Sequence, residues 1–229
     1  MTPQTWTAAL TGGVLHRPGA DDDKYTRGVV GLRSGSEAYP GAAVLGVSGA
    51  WRTGAGMVRY IGPARDLVLQ RRPETVTVDG RVQAWVIGSG TDAETRSDAE
   101  TEALRGILRS GVPVVVDAGA LDLVPALRAG EREPAPWILT PHARELAALR
   151  RAAGLDPETP ADEAGRIAQA TQTAAALGVV LLSKGSVTVI AEPGGGVARV
   201  EAPTAWLAVA GTGDVLAGCL GAVVAGTAA

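Results

Sequence analysis

The chain alternates short, continuously apolar segments with stretches of helical length, and this alternation most constrains its fold. Four such segments are RGVVGLR at 27–33, AWVIG at 84–88, PVVVD at 113–117 and VVLLS at 179–183. Strands that are apolar along their whole length are buried on both faces, which is typical of a mostly parallel sheet. The sequence therefore predicts an α/β fold with a mostly parallel central sheet and helices on both faces.

The remaining elements follow from periodicity and from glycine and proline signals. Predicted helices are 40–53, 93–108, one that begins at Pro141, 163–177 and about 213–225, and further strands are 56–61, 137–140, 187–191 and a return strand to Val200. Several predicted strands end in glycine or a polar residue, namely Gly88, Asp117, Thr140 and Lys184. Ligands of open α/β sheets bind beyond the carboxyl ends of the strands, so we expect these residues along one rim.

Length and composition favour one large globular domain over residues 1–229, of which residues 1–24 form a polar N-terminal extension. The net charge of −3 argues against nucleic-acid binding, which requires clustered lysine and arginine. The single cysteine, Cys219, excludes an intrachain disulfide. No signal-peptide pattern and no uninterrupted apolar run of about 18 residues is present, so we predict a cytoplasmic protein without membrane contact.

Residues 210–218, AGTGDVLAG, are the segment richest in chemistry. A small-residue loop before an apolar helix presents the N–H groups of Gly211, Thr212 and Gly213 to an anion at a positive helix N-terminus. Asp214, in the first turn, is a candidate general base for a hydroxyl that attacks phosphorus. An aspartate is also favoured at a helix N-terminus for purely structural reasons, and the residue types alone leave the two interpretations even.

Two further clusters follow predicted strands. Lys184, with Gly185 and Ser186, can reach a nucleotide phosphate, although most lysines at such positions are solvated. His142 and Glu145 are three residues apart and share a face of a helix that begins at Pro141. They can contact a substrate or a hydrated magnesium ion, whereas the plainer interpretation is a helix cap and a first-turn acid.

Taken together, five ordered segments carry a family resemblance. They are YPGAAVL at 39–45, RTGAGMV at 52–58, LTPHARE at 139–145, SKGS at 183–186 and LAVAGTGDVLAG at 207–218. In this order they resemble the C-terminal YjeF-type domain family of ADP- or ATP-dependent (S)-NAD(P)H-hydrate dehydratases. A lone GTGD is weakly specific, but several motifs in order across most of the chain are strongly specific.

The resemblance implies a ribokinase-like α/β fold and an enzyme of metabolite repair, a lyase acting on (S)-NADHX and (S)-NADPHX. The hydrate hydroxyl takes a phosphoryl group from ADP, the usual bacterial nucleotide, or from ATP, and loss of phosphate restores NADH or NADPH. Mg²⁺ is the implied metal. A homotetramer is the implied assembly, and a separate epimerase is the implied pathway partner, because the chain begins directly with the dehydratase-like part.

The resemblance also assigns roles residue by residue. Asp214 is the implied catalytic base and contacts the substrate. The implied anion hole is Gly211, Thr212 and Gly213; the nucleotide contacts are Lys184, Gly185 and Ser186; the other substrate contacts are Tyr39, Gly41, Ala42 and His142; and Glu145 is implied to hold Mg²⁺ through water.

Departures from the family pattern leave alternatives open. Gly119 stands where relatives carry a second acid in DADAL, and the C-terminal helices of the family are expected to be missing after Ala229. One alternative is a ribokinase-like kinase of a small vitamin precursor or sugar. Another is a nucleotide-binding module without turnover. His16 receives no role from the sequence.

Overall fold

The computed structural model describes residues 3–15, 17–128 and 136–228. They fall into two compact units: the first unit comprises Met1–Val14 and Leu121–Ala208, and the second unit comprises Leu15–Ala120 and Val209–Ala229. The organisation of residues 1–229 as one domain stays a prediction. His16 lies outside the described residues.

Strands and helices alternate through both units. The strands are β1 (Gln4–Thr5), β2 (Val29–Arg33), β3 (Met57–Tyr60), β4 (Ala84–Ile87), β5 (Val114–Val116), β6 (Trp137–Leu139), β7 (Val180–Ser183), β8 (Val187–Ala191) and β9 (Val197–Glu201). The helices are α1 (Ala8–Val14), α2 (Pro40–Thr53), α3 (Arg65–Arg71), α4 (Asp98–Leu108), α5 (Val124–Arg128), α6 (Ala143–Ala152), α7 (Glu163–Leu177) and α8 (Thr212–Thr227). Short 3₁₀ turns span Ala118–Leu123 and Ala205–Leu207.

The second unit contains an all-parallel sheet in the order β5-β4-β2-β3. Helix α8 packs against β2, β4 and β5, and α2 packs against β2 and β3. The four residues of β4 and the three of β5 are all buried. This burial agrees with the continuously apolar segments from which a parallel sheet was predicted. Because β4 and β5 are parallel, Gly88 and Asp117 follow them at the same edge, as predicted.

The first unit contains the strands in the order β1-β9-β8-β7-β6. Strand β7 is parallel to β6 and antiparallel to β8, and β8 is antiparallel to β9. Thr140 and Lys184 therefore follow parallel strands at one edge of this sheet, in agreement with the predicted rim. The β8–β9 hairpin is the return predicted around residues 193–196.

Several predicted boundaries are confirmed and others are wrong. Helices Pro40–Thr53 and Glu163–Leu177 and strand Val187–Ala191 have the predicted limits. The helix predicted at 93–108 begins instead at Asp98, because the Ser97 side chain caps it by accepting a hydrogen bond from the Glu100 N–H at 3.2 Å. Helices α3 and α5 were not predicted.

The N-terminal segment, predicted to be a polar extension, contains a strand and a helix. Strand β1 pairs in parallel with β9, and the Trp6 N–H donates to the Arg199 carbonyl at 2.9 Å. The Trp6 indole N–H also donates to Thr11 Oγ1 in α1 at 2.9 Å. Pairing with a distant edge strand depends on the tertiary structure, which is why composition failed to indicate it. Among the described residues, no helix has both the length and the apolarity required to cross a bilayer.

Candidate active site

Helix α8 begins at the loop in which the sequence places the anion hole. Gly211 is the residue before the helix and has φ of 89°, a left-handed conformation that favours glycine. No side chain caps this helix start, and Gly211, Thr212, Gly213 and Asp214 are all half-buried. The Thr212 N–H donates to the Val209 carbonyl at 3.4 Å, but the first N–H groups of a helix lack intrahelical acceptors, so this terminus can bind an anion, with Asp214 in its first turn.

Glycine contacts between α2 and α8 hold Asp214 in place. A Cβ atom added to Gly46 would lie 3.5 Å from the Asp214 carbonyl oxygen, and one added to Gly49 would lie 2.5 Å from the Val215 carbonyl oxygen. A Cβ on Gly218 would meet the Gly46 backbone more closely still. The absence of side chains thus lets the two helix backbones touch, which fixes the start of α8 relative to α2.

The N-terminus of α2 carries the predicted substrate contacts. Tyr39 precedes the helix, is 61% exposed and has no capping side chain, while Pro40 occupies the first turn. Around Gly41 there is open space, since a Cβ there would have no neighbour within 4 Å. Gly90, which follows β4, lies so close that its Cβ would be 2.9 Å from the Tyr39 carbonyl oxygen and would overlap Ala42. The α2 terminus and the loop after β4 therefore form one surface.

The loops that follow β4 and β5 leave no room for a side chain at position 119, which explains the glycine there. A Cβ on Gly119 would lie 2.7 Å from Thr91 Oγ1 and closer still to the Thr91 carbonyl oxygen. Arg96 donates a hydrogen bond to the Gly119 carbonyl. Asp117 is buried and accepts a hydrogen bond from Ser89 Oγ at 2.9 Å. The loop that carries Thr91 thus occupies the space that an acidic side chain at position 119 would need.

A cavity of about 550 Å³ opens beside these loops in the second unit. Its wall includes Arg33, whose Nη2 lies 2.6 Å from Glu100 Oε2 in a two-point ion pair with both side chains about one-quarter exposed. The cavity is also lined by Gly35, Ser36 and Arg96. Its size suits part of a small-molecule ligand.

His142 caps helix α6 rather than lying inside it. The helix begins at Ala143, so the predicted start at Pro141 is wrong. Nδ1 of His142 accepts from the N–H groups of Arg144 at 3.1 Å and Glu145 at 3.3 Å, and the Glu145 carboxylate accepts from the His142 N–H at 2.7 Å. This capping box leaves the proton of the neutral imidazole on Nε2. The ring is still about half exposed and can contact a ligand.

Glu145 also connects the cap to the lysine loop. Its Oε2 lies 3.7 Å from Lys184 Nζ, and the Lys184 N–H donates to the Pro141 carbonyl at 2.9 Å. Lys184 is therefore tied by backbone and side chain to the start of α6. The predicted residues His142, Glu145 and Lys184 do come together.

The Glu145 environment does not fit direct ligation of magnesium, and the predicted contact through water stays a prediction. Oε2 faces the His142 N–H and the Lys184 ammonium, and Oε1 lies 3.6 Å from His142 Nε2. A cation would compete with these donors. Among the described residues, no group of three or more histidine, cysteine, aspartate or glutamate side chains could hold a metal ion.

The predicted site residues thus fall into one group in each unit. The second unit carries Tyr39, Gly41, Ala42, Gly211, Thr212, Gly213 and Asp214, and the first unit carries His142, Glu145, Lys184, Gly185 and Ser186. Sequence reasoning did not assign a role to Ser89 or Arg96. Ser89 lies between two glycines after a buried strand, which was a usable signal, whereas nothing in the sequence singles out Arg96.

The architecture and the solved structures define an α/β protein with the ribokinase-like fold. A ribokinase-like superfamily protein from Enterococcus faecalis superposes with a TM-score of 0.82 at 21% identity, covering 97% of this chain and 80% of that one. The chain belongs to the NAD(P)H-hydrate dehydratase family, whose model matches residues 30–229. The recognition made from the five motifs is confirmed.

Individual relatives agree with this assignment. The chain is 45% identical over 216 residues to the bifunctional NAD(P)H-hydrate repair enzyme Nnr of Mycobacterium tuberculosis, covering 91% of this chain and 43% of that one. It therefore spans less than half the length of that relative. It is 33% identical to the ADP-dependent (S)-NAD(P)H-hydrate dehydratase of Neisseria meningitidis, covering 90% and 72% of the two chains.

A solved relative extends the likeness to structure. The ADP/ATP-dependent NAD(P)H-hydrate dehydratase of Bacillus subtilis, co-crystallised with ATP and Mg²⁺, superposes with a TM-score of 0.81 at 29% identity. The superposition covers 99% of this chain and 86% of that chain.

Proposed function

We propose that the chain catalyses the nucleotide-dependent dehydration of (S)-NADHX and (S)-NADPHX to NADH and NADPH, with ADP as the phosphoryl donor. The observation that carries this proposal is the uncapped start of α8, where glycine-rich backbone and Asp214 stand together in a chain of the dehydratase family. The Neisseria relative is named ADP-dependent, which supports ADP. ATP is the alternative donor.

Asp214 removes the proton of the hydrate hydroxyl as its oxygen attacks the terminal phosphorus of the nucleotide. The bond from that phosphorus to the bridging oxygen breaks, and AMP leaves when ADP is the donor. The N–H groups at the start of α8 stabilise the negative charge that develops on the phosphoryl oxygens. Phosphate then departs with the electrons of its bond to the ring carbon, and loss of a neighbouring proton restores the ring double bond.

The other predicted residues bind and orient. Lys184 and the backbone of Gly185 and Ser186 bind nucleotide phosphates, while Glu145 positions Lys184. Tyr39, Gly41, Ala42 and His142 bind the hydrate, and the open space at Gly41 allows close approach to the α2 backbone. Mg²⁺ would be held by the nucleotide phosphates as their counter-ion, with no direct protein ligand among the predicted residues. A homotetramer, a separate epimerase and a cytoplasmic location stay predictions.

The test measures the formation of NADH and the release of phosphate separately. Purified chain is mixed with (S)-NADHX and either ADP or ATP; NADH is read at 340 nm and phosphate is measured in parallel. Equal amounts of NADH and phosphate support the dehydratase. A stable phosphorylated product without NADH identifies the kinase alternative, and nucleotide binding without either product identifies the non-catalytic module.

Asp214→Asn tests the base. It is expected to lose turnover by at least about 100-fold, the usual contribution of general base catalysis, while nucleotide affinity is retained. Asp98→Asn is the matched control, because Asp98 is also in the first turn of a helix and is exposed. Near-normal kcat in Asp214→Asn would refute the assignment of the base.

A further inference from the structure

Arg166 lies in the first turns of α7 and places its guanidinium against the lysine loop at 184–186. A Cβ on Gly185 would be 3.5 Å from Arg166 Nη1, in ordinary van der Waals contact. The side chain of Arg166 is half-buried. A second cation therefore lies beside the segment that carries Lys184, within the first unit.

Acceptors that could neutralise Arg166 are engaged elsewhere. The Asp162 carboxylate caps α7 by accepting from the Gly165 N–H at 2.8 Å, and Glu163 Oε1 lies 2.9 Å from Arg199 Nε. Within the described ranges, the Arg166 guanidinium makes no hydrogen bond and no ion pair.

Arg150, which contacts later turns of α7, shows the contrast. Its buried guanidinium donates to the Gln169 carbonyl at 3.2 Å, to Thr173 Oγ1 at 2.7 Å and to Gln172 Oε1 at 2.8 Å. Burial of this cation lowers the pKa of Arg150, yet its donors are satisfied within the protein. A half-buried guanidinium with five donors and no internal acceptor instead indicates an acceptor that arrives from outside.

The backbone of the loop presents donors at the same place. The Lys184 N–H is used by Pro141, and the Ser186 carbonyl accepts from Ala202 at 2.8 Å, so the loop is anchored at both ends. The N–H groups of Gly185 and Ser186 donate to no acceptor in the part of the chain that the structure describes. Successive free N–H groups beside two cations suit the oxygens of a phosphate group.

We propose that Arg166 is a second phosphate-binding cation, which acts with Lys184 and the Gly185 and Ser186 N–H groups on the diphosphate of ADP. The inference rests on the proposed function of Lys184 as a nucleotide ligand and adds a residue that the sequence motifs do not include. Arginine donates two parallel hydrogen bonds to a phosphate, so it orients the group as well as attracting it.

Binding measured by calorimetry on the whole chain, with ADP and adenosine as probes, tests the proposal. Arg166→Gln is expected to raise the Kd for ADP about tenfold or more, because a hydrogen bond to a charged group is lost, and to leave adenosine binding unchanged. Arg166→Lys keeps the charge but loses the two-point contact. Its Kd for ADP is therefore expected to lie between those of Arg166→Gln and the wild type. Arg151→Gln is the matched control, since Arg151 is an exposed arginine of the same unit and its loss changes the net charge equally.

The outcomes separate the two proposals. If Lys184→Ala weakens ADP binding while Arg166→Gln matches Arg151→Gln, the role of Arg166 is refuted and the proposed function stands. If the wild type binds no ADP, both are refuted. Melting temperatures of the unliganded variants check folding, and if Arg166→Gln does not fold, equal ADP affinity of Arg166→Lys and the wild type refutes the two-point contact.

Discussion

Replacing Gly49 by alanine tests whether glycine contacts between α2 and α8 set the position of the proposed base. The new Cβ would lie 2.5 Å from the Val215 carbonyl oxygen and 3.3 Å from the Val215 carbonyl carbon. Side-chain Cβ atoms essentially never approach a neighbour within 3.0 Å, so the helices must separate by at least about 0.5 Å. The obstructing atoms belong to the backbone of the opposite helix and cannot rotate away.

Two opposing effects determine the stability of Gly49→Ala. Overpacking costs about 1–3 kcal/mol, whereas exchange of glycine for alanine inside a helix contributes up to about 1 kcal/mol of stability. We expect the clash to dominate, with a net loss of about 1–2 kcal/mol and a fall in Tm of about 2–8 °C for a chain of this length. Because Val215 follows Asp214, we also expect kcat to fall about tenfold, as misplacement of a catalytic group does.

Calorimetry gives the Tm, and the NADHX assay gives kcat. Gly106→Ala is the matched control: Gly106 is exposed within α4, and a Cβ there would have no neighbour within 4 Å. In that variant the only effect is the higher helix propensity of alanine, so its Tm is expected to rise. A Tm for Gly49→Ala that rises as in Gly106→Ala would show that close helix packing does not constrain α8.

Three other predictions address single side chains. Lys184→Ala is expected to raise the KM for ADP about tenfold or more with a smaller effect on kcat, and unchanged nucleotide affinity would contradict this. His142→Ala is expected to lower the free energy of unfolding by about 1 kcal/mol, because the helix cap is lost. His142→Asn is expected to restore stability but not the KM for the hydrate. If His142→Asn restored both, the role of His142 would be purely structural. Burial raises the pKa of Tyr60 to about 12, so stability is complete below pH 10 and declines between pH 10 and 12, by roughly 2 kcal/mol. In Tyr60→Phe this alkaline decline should be smaller, as measured by urea unfolding at each pH.

Local signals predicted much of the fold. The proline at the start of α2 and the periodicity of α7 made these helices recognisable, and their limits are confirmed. Strand β1 and the start of α4 were missed, since one depends on pairing with β9 and the other on which of several polar residues caps the helix. The same limit applied to His142: the proline at 141 predicted the helix start and so placed His142 inside the helix, whereas the capping box shows that His142 precedes it.

The sequence by itself determined the family, the parallel α/β pattern and the residue types that the chemistry requires, because these depend on local order and on motifs such as GTGD and LTPH. Only the tertiary structure decided which groups satisfy one another. It assigned the Glu145 carboxylate to the His142 cap and Lys184, filled the space beside Gly119 with Thr91, and left Arg166 against Gly185 without an acceptor in the described chain. Hydrogen bonds and steric contacts between residues distant in sequence depend on how the elements pack, and no local pattern encodes that packing.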